Sequence, residues 1–202
     1  DMRQTFKFTA SSGKTFELNL QQIMSLYAFS KRAQARDHIR KGGIVIDERT
    51  KLKKGLRTFT IDAASAYNIS DETLNEIIGK LSAEQRDYVD LMQSYLSTTM
   101  GGKGNEVSME MYGVKLFTEK NYFPLKSAAQ YMPKAKEQQQ AETKIKNAGF
   151  TKETVQHANN PIVLSEFNDV WAGHVDQMSR YHAFTLPLED FYRVYNYRTS
   201  TD

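Results

Sequence analysis

The sequence predicts a mainly α fold with a minor β component (α+β): a helical, bundle-like core carrying a small N-terminal β-hairpin and mixed element. Three observations carry this. Residues 5–9 and 14–18 alternate apolar and polar side chains around Ser11-Ser12-Gly13, the period-two pattern of a hairpin. From Ser70 onward, apolar residues recur at three- and four-residue spacing, the period of helices that bury one face. The composition, 40% hydrophobic and 25% charged over 202 residues, is that of a globular chain long enough for one good core.

Taken in order, the hairpin is followed by a helix expected over residues 20–40, with Leu20, Ile23, Met24 and Tyr27 on its apolar face and Gly42-Gly43 at its end. Ile44-Val45-Ile46 reads as a short strand, and residues 57–61 as its partner. Ser70 is a cap for a helix carrying Leu74, Ile77, Ile78 and Leu81. Ser82 with Gln85 forms a capping box ahead of a helix whose face is expected at Tyr88, Leu91, Met92, Tyr95 and Leu96. Gly101-Gly102-Lys103-Gly104 is expected to break that helix, residues 105–112 to resume it and Gly113 to close it. An extended aromatic segment follows over residues 117–124; Tyr122 and Phe123 with Lys120 and Lys126 have the ingredients for base stacking beside phosphate contacts, and the competing, favoured reading has the aromatic side chains plugging the core. Residues 134–148 are almost wholly polar, an exposed helix or insertion. A long helix is expected over residues 162–183, with Trp171, His174, Met178 and Tyr181 on one face. Pro187 should break the chain before a short last helix, 188–195. Composition and charge divide the chain at residue 66: a small mixed α/β basic subdomain (1–66) and a helical domain (67–202) with the polar insertion, together one compact unit.

Charge is unevenly spread. Residues 31–57 hold ten Lys/Arg against three acids, whereas residues 58–99 hold two against seven. The basic stretch, represented by Arg32, Arg36, Arg40, Lys51, Lys53 and Lys54, is a candidate polyanion-binding face. The competing reading is a solvated surface that pairs with the acidic segment. No apolar run is long enough to span a bilayer, and no membrane partner is expected. The absence of cysteine removes disulfides, thiolate zinc sites and thiol catalysis. The opening Asp1-Met2-Arg3-Gln4-Thr5 reads as a boundary inside a longer chain.

Motifs for catalysis fail one by one. The glycine run around Lys103 lacks the preceding strand and following Ser/Thr of a phosphate loop. Gly42-Gly43 lacks the dinucleotide fingerprint. His174 and His182 stand two turns apart, where a helical metal pair wants one. They read as partly buried, hydrogen-bonded side chains on a core stripe. Glu189-Asp190 follows Pro187 and is expected to complement a helix dipole. No catalytic, cofactor or metal residue is assigned.

The later half carries Asn105-Glu106-Val107-Ser108, Tyr112-Gly113 and Glu119-Lys120-Asn121-Tyr122-Phe123-Pro124-Leu125-Lys126. It goes on with Asn160-Pro161-Ile162, Tyr181-His182-Ala183, residues 186–191 and Arg193-Val194-Tyr195-Asn196. Across residues 70–196 this resembles the large polyvalent protein-associated domains of bacteriophages and integrated mobile elements. Those are modules of very long chains that also carry methylase, helicase, peptidase or toxin-like domains. The shared residues are aromatic and structural, and the family supplies no catalytic residues to transfer. The resemblance implies a phage or prophage protein, in the cytoplasm of a bacterial host or associated with the virion.

The expected function is a non-catalytic accessory or interaction module of a phage multidomain protein. Its expected partners are other domains of the same long chain and nucleic acid, the latter through the basic N-terminal face. One alternative is a hydrolase- or nuclease-like enzyme with a site around His174 and His182. The other is a purely structural scaffold that holds neighbouring domains, which an exposed apolar patch without a basic face would favour.

Overall fold

A computed structural model describes residues 4–47, 65–125 and 161–199. The fold is mainly α with minor β. The chain groups into two compact units, 1–86 with 125–167 and 87–124 with 168–202, a grouping that does not follow the compositional boundary at residue 66.

In the first unit, β1 (Thr5–Thr9) and β2 (Thr15–Asn19) form the expected antiparallel hairpin, with Phe8 opposite Phe16. Phe8, Phe16 and Leu18 are buried while Thr9, Thr15 and Glu17 face water, so the alternation in the sequence is the burial pattern itself. Helix α1 (Leu20–Ser30) starts at a capping box: the Gln22 amide donates to Asn19 Oδ1 at 2.9 Å, and the Asn19 amide donates to Gln22 Oε1 at 3.0 Å.

The single helix expected over residues 20–40 is two. Arg32 takes an extended conformation (φ −106°, ψ 120°) and becomes the N-cap residue of α2 (Ala33–Gly42). Arg36 and Arg40 therefore belong to a separate helix from Leu20–Tyr27. Gly43 ends α2 at φ 75°, and a Cβ there would lie 2.7 Å from the Tyr67 carbonyl oxygen. Only glycine fits that crossing.

Strand β3 (Ile44–Ile46) is present as expected, but among the described residues its ladder partner is β4 (Ile162–Leu164), in parallel register from Ile44–Ile162 to Ile46–Leu164. Residues 57–61 lie outside the described residues. Ile162-Val163-Leu164 was expected to begin a helix. It is instead a buried strand: Pro161 precedes it, two of its three residues are β-branched, and pairing with β3 satisfies its backbone. Helix α3 (Asp71–Ile78) is capped by Ser70, whose hydroxyl accepts from the Thr73 amide. It packs Leu74 and Ile77 inward, and α1 lies against it.

Helix α4 (Ala83–Tyr95) begins at the Ser82–Gln85 box and carries the chain into the second unit. Its buried residues there are Val89 and Gln93; of the expected stripe, Leu96, just beyond the helix, is buried, whereas Leu91 and Tyr95 are exposed. Polar Gln93 occupies a core position because its Nε2 donates to the Asn121 carbonyl at 3.0 Å.

The glycine run does not break the helix. A π-helical turn, Leu96–Met100, leads directly into α5 (Gly101–Tyr112), which Gly113 closes at φ 71°. Gly104 faces the Phe117 ring and Met178. A Cβ at residue 104 would stand 2.7 Å from Phe117 Cδ2 and 2.8 Å from Met178 Cε. The glycine is thus a packing device that lets the aromatic segment approach the helix.

Among the described residues the aromatic segment has no sheet partner, and side chains bond its backbone. Asn105 Nδ2 donates to the Phe117 carbonyl at 2.8 Å and Asn105 Oδ1 accepts from the Phe117 amide at 2.9 Å. Ser97 Oγ accepts from the Tyr122 amide at 3.1 Å. Phe123 is fully buried.

Helix α6 (Phe167–Thr199) runs uninterrupted through Pro187, so the expected break and separate last helix are absent. Proline removes one backbone donor, the one that would reach Ala183. Ala183 and Pro187 are both exposed, so water can serve that carbonyl. Glu189-Asp190 consequently lies inside the helix rather than at a start, where both carboxylates pair with Arg193, at 3.5 and 3.7 Å.

Candidate functional site

The expected basic face is only partly within the described residues: Lys51, Lys53 and Lys54 lie outside them. Arg32 is half-buried at the start of α2. Arg36 donates from Nε to Asp71 Oδ1 at 2.7 Å and from Nη2 to Asn75 Oδ1 at 3.3 Å, so it is engaged by the first turns of α3. Arg40 and Lys41 both pair with Asp37, at 2.6 Å each. These two cations hold the Asp37 carboxyl below its ordinary pKa, Lys41 most. Arg36 meets an acid of the segment that follows the basic stretch. Such half-exposed pairs are weak and screened by water and salt, but a phosphate would have to draw Arg36 and Arg40 away from these carboxylates.

The two histidines of α6 occupy different environments. His174 is buried, and its ring centroid lies 5.2 Å from that of Tyr122. Burial pulls its pKa down to about 4, so at neutral pH it is an uncharged packing group. His182 is partly exposed, with Nε2 3.1 Å from Glu106 Oε2. No group of three or more His, Cys, Asp or Glu able to hold a metal ion occurs among the described residues.

A polar cluster that sequence reading missed sits at the carboxyl ends of β3 and β4. Ser165 Oγ donates to Asp47 Oδ2 at 2.6 Å, Ser25 Oγ donates to the Ser165 carbonyl at 2.9 Å, and Asn19 Nδ2 donates to Glu166 Oε1 at 2.9 Å. The carboxyl ends of parallel strands are where open α/β sheets place ligands. Here the polar atoms bind one another and tie α1 to the strand pair. Each of these bonds joins residues more than a hundred apart in sequence, so no local motif signals them.

The most distinctive surface is on α6. Its early part packs through Phe167, Trp171, His174 and Met178. Trp171 Nε1 donates to the Met92 carbonyl at 3.0 Å, and its ring lies against Tyr95. Beyond residue 183 the helix changes. Phe184, Leu188, Phe191, Tyr192, Val194, Tyr195 and Tyr197 are all 54–72% exposed. Phe191 stacks on Tyr195 one turn away and meets Tyr192 edge-on. The sequence showed these aromatics but not that they face outward.

No helix among the described residues is long and apolar enough to cross a membrane. Comparisons with protein-family models, with curated proteins and with solved structures find no match to this chain.

Proposed function

We propose that this chain is a non-catalytic interaction module in which the first unit serves as scaffold and the second presents an apolar surface to a protein partner. The observation that carries this is the distribution of large hydrophobic side chains. Among the described residues, all thirteen exposed ones lie in the second unit, seven of them between residues 184 and 197. A contiguous apolar surface of this kind marks an interaction site. The resemblance to phage polyvalent-protein domains supports the same reading. It would make the chain an accessory part of a long phage or prophage protein, working in the bacterial host or with the virion, with neighbouring domains among its partners.

Nucleic-acid contact through Arg32, Arg36, Arg40, Lys51, Lys53 and Lys54 is less favoured by this geometry, because Arg36 and Arg40 already have carboxylate partners. An enzymatic site around His174 and His182 is less favoured still, because His174 is sealed against Tyr122.

The test replaces Phe184, Leu188, Phe191 and Tyr195 together by serine and measures denaturant unfolding in dilute solution. A surface meant for a partner predicts that stability stays within about 1 kcal/mol of the parent chain. A loss of several kcal/mol would show that these residues belong to the chain's own core. Salt-sensitive DNA or RNA binding in a gel shift, abolished by replacing the six basic residues, would favour the nucleic-acid reading instead.

A further inference from the structure

The partner of the apolar surface can be narrowed from its own chemistry, and this inference rests on the reading of α6 as an interaction surface. Phe184, Leu188, Phe191 and Tyr195 follow one another at spacings of four, three and four. At 100° per residue they fall within about 60° of arc, the 3-4 repeat of a two-helix seam. Tyr192 and Val194 flank the stripe, so the positions that would carry charges steering a heterotypic partner are apolar too. Glu189, Asp190 and Arg193 lie away from the stripe, and Arg193 pairs with both carboxylates. Between Phe184 and Tyr195 the seam thus offers an occupant no charge to complement.

The segment also needs an occupant. Aromatic and β-branched residues are middling helix formers, Pro187 removes a hydrogen bond, and a free helix of this length is marginal in water. At the observed exposure each of the six side chains presents on the order of 100 Å². Two such seams would therefore bury roughly 1,200 Å² in total, the lower bound for a specific interface.

We propose that the occupant is a second copy of this chain, joined through an antiparallel pairing of the residue 184–195 seams. The antiparallel arrangement makes the seam self-complementary: Phe184 lies against the partner's Tyr195 and Leu188 against the partner's Phe191. It also sets the two helix dipoles in opposition. A two-fold interface of this kind uses the same patch on both subunits.

Sedimentation velocity over a range of chain concentrations tests this, with Leu188→Glu and Phe191→Glu as variants and circular dichroism as the control for folding. The expected result is a monomer–dimer equilibrium in the parent chain that each variant weakens by roughly thirtyfold or more, with no loss of helix content beyond residues 184–197. A parent chain that stays monomeric at about 100 µM, well above the micromolar range of ordinary specific interfaces, overturns the proposal. So do variants that dimerise as the parent does, or a monomer that binds phosphatidylcholine vesicles through the seam. A monomeric parent whose serine variant keeps its stability removes the dimer but leaves the interaction-surface reading standing; loss of stability in that variant removes both. Because the chain has no cysteine, orientation can be read by cross-linking. Leu188→Cys and Phe191→Cys chains, mixed, should cross-link to each other in preference to themselves, and a preference for like pairs overturns the antiparallel arrangement.

Discussion

Helices α1 and α6 are both rich in large apolar residues, yet they use them in opposite ways. In α1, Leu20, Ile23, Met24, Leu26 and Phe29 are all buried, pointing around most of the helix circumference. This is the pattern of an element enclosed on several sides. In α6, burial is confined to one stripe in the first half, and the second half shows its aromatics to solvent. Twenty-two of the twenty-eight buried hydrophobics among the described residues lie in the first unit, so intramolecular stability should be concentrated there. The same residue types therefore stabilise the fold in one unit and remain available for binding in the other. Hydrophobicity alone does not tell the two roles apart; packing does.

The contrast breaks most visibly under truncation. Leu18→Ala or Ile23→Ala should cost about 2–5 kcal/mol, the range for emptying a close-packed site, while Leu188→Ala should change the stability of the dilute chain by no more than about 0.5 kcal/mol. Urea unfolding of the three variants measures this directly. Equal losses at all three positions would erase the distinction between the units.

A second effect concerns the part of α6 that does pack. His174 has a folded pKa of about 4 against an ordinary 6.5. The unfolded chain therefore binds a proton between those values that the folded chain does not, and stability falls as pH drops from about 6.5 to about 4. It is unaffected by this group above 6.5. The loss amounts to roughly 3 kcal/mol across the window. His174→Phe keeps an aromatic ring beside Tyr122 and should flatten that part of the stability–pH curve. A curve of unchanged slope in this variant would mean that His174 is accessible to water.

A smaller effect separates two glycines of α5. Gly104→Ala drives a methyl into Phe117 and Met178 and should cost about 1–3 kcal/mol, as overpacking does. Gly102 has open space around its Cβ position, so Gly102→Ala should gain up to ~1 kcal/mol from helix propensity. Thermal unfolding of the pair checks this; equal effects of either sign would contradict a packing role for Gly104.

What the sequence made legible was local. The hairpin from Thr5 to Asn19, the Ser70 cap and the Ser82–Gln85 box each depend on residues within a few positions of one another, and each formed as expected. The pairing of β3 with β4 joins residues 118 apart, Ile44 with Ile162, and no periodicity encodes it. Proline at 187 reads as a stop signal only if the neighbouring carbonyl has no water to turn to, a condition of exposure that sequence does not carry. Gly101 and Gly104 read as helix breakers because their partner, Phe117, is brought in by a segment more than ten residues downstream. The aromatic seam was visible as composition in residues 184–197, but its outward direction depends on which face of α6 the rest of the second unit covers.

Hydrogen exchange of the intact chain at low and high concentration tests most directly whether the apolar half of α6 is an association surface. The amides of residues 184–197 should exchange rapidly in dilute solution and gain protection as concentration rises, while those of α1 and β3 stay protected at both. Protection of residues 184–197 equal to that of α1 in dilute solution would contradict the account, as would exchange that never slows with concentration.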